Sequence, residues 1–206
     1  LDFTRFATHF MLLYYVRHGL TDWNSTGRLQ GRHDVPLNDT GRAEAGCCGE
    51  ILRDLFACDG RSAAHCDYVS SPLVRARETM EIMRATLGLA PVDYGVDPRL
   101  AEISFGEWEG LTYTDVIERE PEVVAKREAD KWHFRAPGGE TYAEVARRVG
   151  DWYATLKRDT VVSAHGGTGR ALIALLGVAP PDVAVHHSID QGVVYVFEGN
   201  RIARYQ

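Results

Sequence analysis

Residues 11–19 read MLLYYVRHG. The apolar run Met11–Val16 stops at an arginine, a histidine and a glycine. A short apolar run of this kind, bounded by polar punctuation, predicts a buried strand. Val161–Ala164 (VVSA) likewise predicts a strand, and it runs into His165-Gly166-Gly167. Tyr68–Ser70 predicts a third strand, just ahead of Arg75. Helical patterns lie between them. Asn38-Asp39-Thr40-Gly41 is a capping signal for Arg42–Phe56, whose apolar residues recur at Ala45, Cys48, Ile51, Leu52 and Leu55. Pro72 is expected at the start of a helix over Leu73–Leu87, which Gly88 ends. Glu140–Lys157 carries a helical stripe of Val145, Val149, Trp152, Tyr153 and Leu156. Gly166–Leu176 is glycine-rich and then helical, and Val193–Phe197 and Ile202–Tyr205 are expected to close the sheet around Gly199-Asn200.

Strands alternating with helices predict an α/β fold: a three-layer α/β/α sandwich with a mainly parallel central sheet. In such sheets, sites form beyond the carboxyl ends of the strands. His18 and His165 fall at two such ends and Arg75 follows a third, so three distant segments converge on one site. Residues 98–112 (PRLAEISFGEWEGLT) have no clean period and read as a loop, Thr112–Lys131 as a charged helix in two pieces broken near Pro121, and Pro137-Gly138-Gly139 as a turn.

A chain of 206 residues with 45% hydrophobic and 25% charged residues is long enough to bury a core and too apolar to be disordered. The net charge of −6 argues against non-specific nucleic-acid binding, although a local basic pocket remains compatible with it. No run reaches the length of a membrane span, and residues 1–10 lack the apolar region of a signal peptide. A cytoplasmic protein is expected, with 1–10 an upstream extension and 11–206 one domain. The four cysteines (Cys47, Cys48, Cys58 and Cys66) form no C-x-x-C pair and are expected as reduced, buried, apolar side chains.

In Arg17-His18-Gly19, a neutral imidazole can attack phosphorus, the arginine can hold phosphoryl oxygens, and the glycine lets backbone N–H groups approach an anion. Asn24, Arg28, Gln30 and the Gly31 backbone, in the polar loop that follows, can donate hydrogen bonds to phosphate. His33, His133, His186 and His187 have no metal-ligand spacing.

These stretches resemble the histidine phosphatase (phosphoglycerate-mutase-like) superfamily. The likeness rests on Val16–Asn24 (VRHGLTDWN), Gln30-Gly31 and Asp34–Asn38 (DVPLN). It continues in Ser71–Thr79 (SPLVRARET), in Leu100-Ala101-Glu102 with Gly106–Gly110 (GEWEG), and in Pro137–Thr141 (PGGET) with Arg148-Val149. It ends in Ser163–Gly167 (SAHGG) with Arg170, so it runs in order from about residue 11 to about residue 200. It implies that His18 becomes phosphohistidine and that Arg17, Arg75, Asn24 and His165 hold the phosphoryl group. Glu102 would be the acid, with Glu107 and Glu109 as alternatives; Gly166 would line the site or serve geometry only, and geometry alone is likewise the alternative for Gly19. Clustered positive charge favours a neutral His18, and a dianionic substrate favours a protonated Glu102. No metal and no cofactor is expected, because the arginines supply the charge.

The resemblance leaves three readings: a phosphatase, a cofactor-dependent phosphoglycerate mutase and a non-catalytic phospho-ligand binder. All catalytic positions are present, which disfavours the binder. The acidic loop reads Glu102-Ile103-Ser104-Phe105-Gly106, Tyr113 stands where the mutases carry a substrate-gripping lysine, and their paired arginines are not evident in 114–135. A phosphatase acting on a small phosphomonoester is therefore favoured. Residues 112–137 are expected to cap the pocket, and Trp108, Tyr113, Trp132, His133, Phe134 and Arg135 point to a broad or hydrophobic substrate. Alpha-ribazole phosphate enters by family analogy alone. A homodimer fits the family's habit. Neither a nucleic acid nor a membrane is an expected partner.

Overall fold

The computed structural model describes residues 11–206, so the expected extension at 1–10 lies outside the described residues. The chain begins with β1 (Leu12–Arg17), whose side chains split between two layers. Leu13 and Tyr15 face one core and Tyr14 and Val16 the other, each no more than 1% exposed. This explains the unbroken apolar run: a strand buried on both faces has no polar alternation.

A short helix, α1 (Asp22–Ser25), follows β1, and α2 (Asp39–Cys58) starts where Asn38 Oδ1 accepts from Gly41 N at 2.9 Å. Next come β2 (Asp67–Ser70), α3 (Val74–Thr86) and the two-residue β3 (Gly95–Val96). The middle of the chain forms α4 (Tyr113–Arg119), α5 (Pro121–Ala129) and α6 (Tyr142–Tyr153). The last part runs through β4 (Thr160–Ala164), α7 (Gly166–Leu175), α8 (Pro181–Ala184), β5 (Val194–Glu198) and β6 (Arg201–Tyr205).

The sheet order is β3-β2-β4-β1-β5-β6. β3, β2, β4 and β1 are parallel, while β5 runs antiparallel to β1 and β6 antiparallel to β5. Cys48, Leu52 and Phe56 of α2 and Met80 and Met83 of α3 cover one face; Val145, Val149 and Trp152 of α6 and Leu172 of α7 cover the other. The three-layer α/β/α sandwich expected from the sequence is the observed architecture. A third apolar cluster stands apart, with Trp108, Val116, Val124 and Ala136 at its centre and Leu29 packed against it.

Several local expectations are corrected. Pro72 is not the first helical residue. Leu73 is the extended N-cap of α3, and Asp34 Oδ1 accepts from Val74 N at 2.6 Å in place of a cap side chain. Helix α6 ends at Tyr153, where the chain turns toward β4. Helices α1 and α8 and strand β3 are each too short to leave a periodic pattern. Cys48 and Cys66 are buried, with burial pushing their thiols up to about 12 and about 11, whereas Cys47 and Cys58 are exposed; all four are free. No helix among the described residues is long and apolar enough to cross a membrane.

Candidate active site

The carboxyl ends of β1, β2 and β4 lie side by side. His18 N donates to Ala164 O and Ser71 N to Ser163 O, each at 2.9 Å, so the register of the strands carries on into the loops. His18, His165 and Arg75 thereby meet in one place. The two imidazole centroids are 5.1 Å apart. A pocket of about 250 Å³ opens there, lined among others by Arg17, His18, Asn24, Arg28, Gln30, Gly31, Arg75, Glu102, Gly166 and Arg170.

His18 is 2% exposed. Its Nδ1–H donates to the Gly19 carbonyl at 2.8 Å, and its Nε2 accepts from Arg75 Nε at 3.2 Å. These partners fix the tautomer with a lone pair on Nε2. Burial, then the charges of Arg75 and Arg17, hold its pKa well below the ordinary histidine value, so the ring is neutral.

Arg75 is fully buried yet meets no carboxylate among its hydrogen-bond partners. Nη1 donates to the His33 carbonyl at 2.7 Å and Nη2 to the Gly31 carbonyl at 2.8 Å. Burial lowers its pKa to about 10, opposed by Glu102, so it keeps its charge at neutral pH. Arg17 Nη1 donates to the Ile189 carbonyl at 2.9 Å, while its Nε and His165 Nδ1 are buried with no hydrogen-bond partner among the described residues. Such buried, unsatisfied polar groups are costly unless a ligand meets them. His165 Nε2 lies 2.6 Å from Ser71 Oγ, and burial, then Arg75, push its pKa well down. Its backbone is pinned: Tyr15 Oη and Thr168 Oγ1 both donate to its carbonyl, and its N–H donates to Thr168 Oγ1 at 3.0 Å.

Glu102 sits at the amino end of α7. Its Oε1 accepts from Gly167 N at 3.0 Å and from Ile103 N at 2.9 Å. A Cβ at Gly167 would stand 2.3 Å from Glu102 Oε1, so glycine is required for the carboxylate to lie there. The alternative acids are elsewhere. Glu107 is exposed, and Glu109 accepts from Ser104 Oγ and Phe105 N, each at 3.0 Å, packed beneath Gly31.

Asn24 lies within α1, its Oδ1 accepting from the Oγ1 of the N-cap Thr21 at 3.0 Å and from Gln191 Nε2 at 3.1 Å. Arg28 is exposed at the rim, with Nη1 donating to the Gly110 carbonyl at 2.7 Å. Gln30 is 7% exposed, and its Oε1 has no partner among the described residues. Gly31 takes φ +49° and offers its carbonyl to Arg75. Gly166 lies between two cations, since a Cβ there would be 3.3 Å from Arg170 Nη1 and 3.8 Å from Arg17 Nε.

Gly19 serves geometry, not the approach of an anion. Its N–H donates to Thr79 Oγ1 at 3.1 Å, and a Cβ would stand 2.1 Å from the Gly41 carbonyl oxygen. It is a packing glycine between two backbones. The expected aromatic lining is also absent: Trp108 stacks on Phe134 and Trp132 on Tyr142, and Phe105 is the aromatic side chain that reaches the pocket. Arg170, to which the sequence motif assigns no role, lines the pocket; its place on the first turns of α7 after His165 is the signal for it. Among the described residues, no group of three His, Cys, Asp or Glu side chains stands close enough to hold a metal ion.

The profile of the Histidine phosphatase superfamily (branch 1) matches residues 13–203. The chain is 31% identical to the 2,3-bisphosphoglycerate-dependent phosphoglycerate mutase 2 of Gloeobacter violaceus, over 91% of this chain and 85% of that protein. It is 34% identical to the glucosyl-3-phosphoglycerate phosphatase of Mycolicibacterium vanbaalenii, over 82% of this chain and 76% of that one. Among solved structures it is similar to the alpha-ribazole phosphatase of Shigella flexneri, with a TM-score of 0.77, 25% identity and 93% of each chain covered. Some mycobacterial relatives are longer: at 32% identity, the chain covers 44% of their length.

Proposed function

This chain belongs to the histidine phosphatase superfamily (branch 1), and from that premise we propose that it is a metal-independent phosphomonoester hydrolase working through a phosphohistidine at His18. One observation carries this reading. The unprotonated Nε2 of His18 faces the pocket's cations while Arg75 Nε holds it at 3.2 Å.

A phosphomonoester dianion enters between Arg17, Arg75 and His165. The unpartnered Arg17 Nε and His165 Nδ1 are the donors that its oxygens would satisfy. Nε2 of His18 attacks phosphorus, the P–O ester bond breaks, and the leaving oxygen takes a proton from Glu102. Negative charge on the equatorial oxygens is met by cations already in place, the preorganisation that lowers such barriers. Water then gives a proton to the Glu102 carboxylate and attacks the phosphohistidine. The P–N bond breaks, its electron pair returns to Nε2, and inorganic phosphate leaves. Asn24 and Arg28 are placed as further donors at the rim; Gly31 contributes by holding Arg75, and Gln30 by filling the wall behind it.

The mutase reading differs only in the acceptor of the phosphoryl group. The similarity to a glucosyl-3-phosphoglycerate phosphatase and the tyrosine at position 113 favour water. The deciding experiment compares wild type with His18→Ala. Phosphate release from p-nitrophenyl phosphate and a phosphomonoester panel is measured beside a mutase assay with 3-phosphoglycerate and 2,3-bisphosphoglycerate. Release that falls by about 10³-fold or more in the variant, and survives EDTA, is expected. Formation of 2-phosphoglycerate without release would make it a mutase, and EDTA inhibition would overturn the metal-free route.

A further inference from the structure

The turn that leads from α8 into β5 bonds to three side chains of the pocket. The His187 carbonyl accepts from Arg170 Nε at 2.9 Å, and the Ile189 carbonyl accepts from Arg17 Nη1 at 2.9 Å. Gln191 Nε2 donates to Asn24 Oδ1 at 3.1 Å, across 167 positions of sequence. Arg170, Arg17 and Asn24 all line the cavity in front of His18, whereas residues 187–191 do not. The turn therefore acts on the pocket from behind its walls.

The turn is itself held firmly. Ile189 is 1% exposed and packs in the main core, where Gly169 of α7 makes room for it: a Cβ there would stand 3.2 Å from Ile189 Cγ1. Asp190 N donates to Tyr195 Oη at 2.8 Å, and Asp190 Oδ2 accepts from Arg204 Nη2 at 3.1 Å, which ties the turn to β5 and β6. At the other end of the Gln191 bond, Asn24 Oδ1 is ringed by donors: Thr21 N at 3.3 Å, Thr21 Oγ1 at 3.0 Å and Gln191 Nε2. A side-chain amide has one accepting end and one donating end. With donors gathered at Oδ1, turning the amide over would set its NH₂ against them. Nδ2 has no partner among the described residues and is left for the pocket. The Thr21 donors belong to the cap of α1 and move with that short helix. Gln191 supplies the donor that refers Asn24 to the sheet.

We infer that Gln191 is a positioning residue, which fixes the Asn24 amide with its NH₂ available to the phosphoryl group, as the side-chain member of a turn whose carbonyls aim Arg17 and Arg170. This rests on the phosphatase reading above and adds a residue to it. A donor already in place needs no reordering as charge builds on the phosphoryl oxygens, whereas an amide free to rotate presents its oxygen to the phosphate part of the time. Gln191 therefore acts through Asn24.

A double-mutant cycle tests it, with wild type, Gln191→Met, Asn24→Ala and the double variant. Methionine keeps the length of glutamine and cannot donate. Gln191→Met should lower kcat/KM for p-nitrophenyl phosphate by about threefold to tenfold, the size of one net hydrogen bond, and raise the inhibition constant of inorganic phosphate by a similar factor. In the Asn24→Ala background the same exchange should change either quantity by less than about twofold, because the two residues act as a unit. No effect of Gln191→Met, or the same factor with and without Asn24, overturns the assignment. Gln191→Ser, too short to reach Asn24, enters the same cycle should thermal melts show the methionine variant unfolded. Wild type that binds inorganic phosphate but hydrolyses no ester counts against the phosphatase reading alone. Calorimetric titration of the cycle with inorganic phosphate then decides Gln191: affinity weakened only where Asn24 is present supports it, and equal or parallel affinities overturn it. Wild type that neither hydrolyses an ester nor binds inorganic phosphate overturns both.

Discussion

Arg75 Nε donates to His18 Nε2 across 3.2 Å, so the residue placed to clamp a phosphoryl group also marks the lone pair that would attack it. The other two nitrogens of Arg75 are held by carbonyls of residues 31 and 33, which fixes the direction of Nε. A lysine has neither the fork nor the reach to keep all three bonds. Arg75→Lys is therefore expected to lower kcat/KM by about 10²-fold or more, the cost of losing one preorganised donor. Steady-state kinetics on p-nitrophenyl phosphate checks this.

Glu102→Gln should separate substrates by leaving group. An alkyl phosphate needs a proton on its leaving oxygen, so a loss of about 10²–10⁴-fold is expected there. Nitrophenolate leaves without one, and the same variant should cost it about tenfold or less. Equal losses on both would remove Glu102 from the acid's role.

Stability should depend on pH through the two buried histidines. Both folded-state pKa values lie well below 6.5, whereas the unfolded chain binds protons near 6.5. Below that pH the unfolded state holds more protons than the folded one. Stability is then present in full above 6.5 and falls as pH drops, with a limiting slope of about 2.7 kcal/mol per unit if both rings stay neutral. Urea denaturation between pH 7.5 and 5 measures the slope, and His165→Gln should roughly halve it.

Two glycines should respond in opposite ways to alanine. At Gly19 the added carbon would meet the Gly41 carbonyl oxygen at 2.1 Å, backbone against backbone, with no side chain free to yield. A loss above about 4 kcal/mol is expected. Gly46, within α2, has open space around the same position. Alanine there should stabilise by about 0.5–1 kcal/mol, because it removes backbone freedom from the unfolded chain. Thermal melts of the two variants give the comparison.

The sheet was legible because β1 and β4 are buried on both faces, carry short apolar runs and end in histidine-bearing turns, so strand and site were read from the same residues. The pocket lining was legible for His18, Arg75 and Glu102, and the buried His165 behind it, because each closes or follows a recognisable element. Less was readable where a residue's meaning depends on a distant partner. Gly19 is shaped by Gly41, Gly31 by Glu109 and by the Arg75 that its carbonyl holds, and Gly167 by Glu102. The aromatics expected to cap the pocket pack elsewhere, Trp108, Tyr113 and Phe134 in the outlying cluster and Trp132 against the main core.

The cluster around Trp108, Val116 and Val124 has an interior of its own, and Phe105 is the side chain packed against both it and the main core. The segment 105–111 thus carries side chains of that cluster and the support of the Arg75 guanidinium at once. Two links join this cluster to the strand-end residues: the Phe105 ring, and Glu109, packed beneath the Gly31 whose carbonyl holds Arg75. A side chain exchanged in the outlying cluster is therefore felt at the guanidinium beside His18.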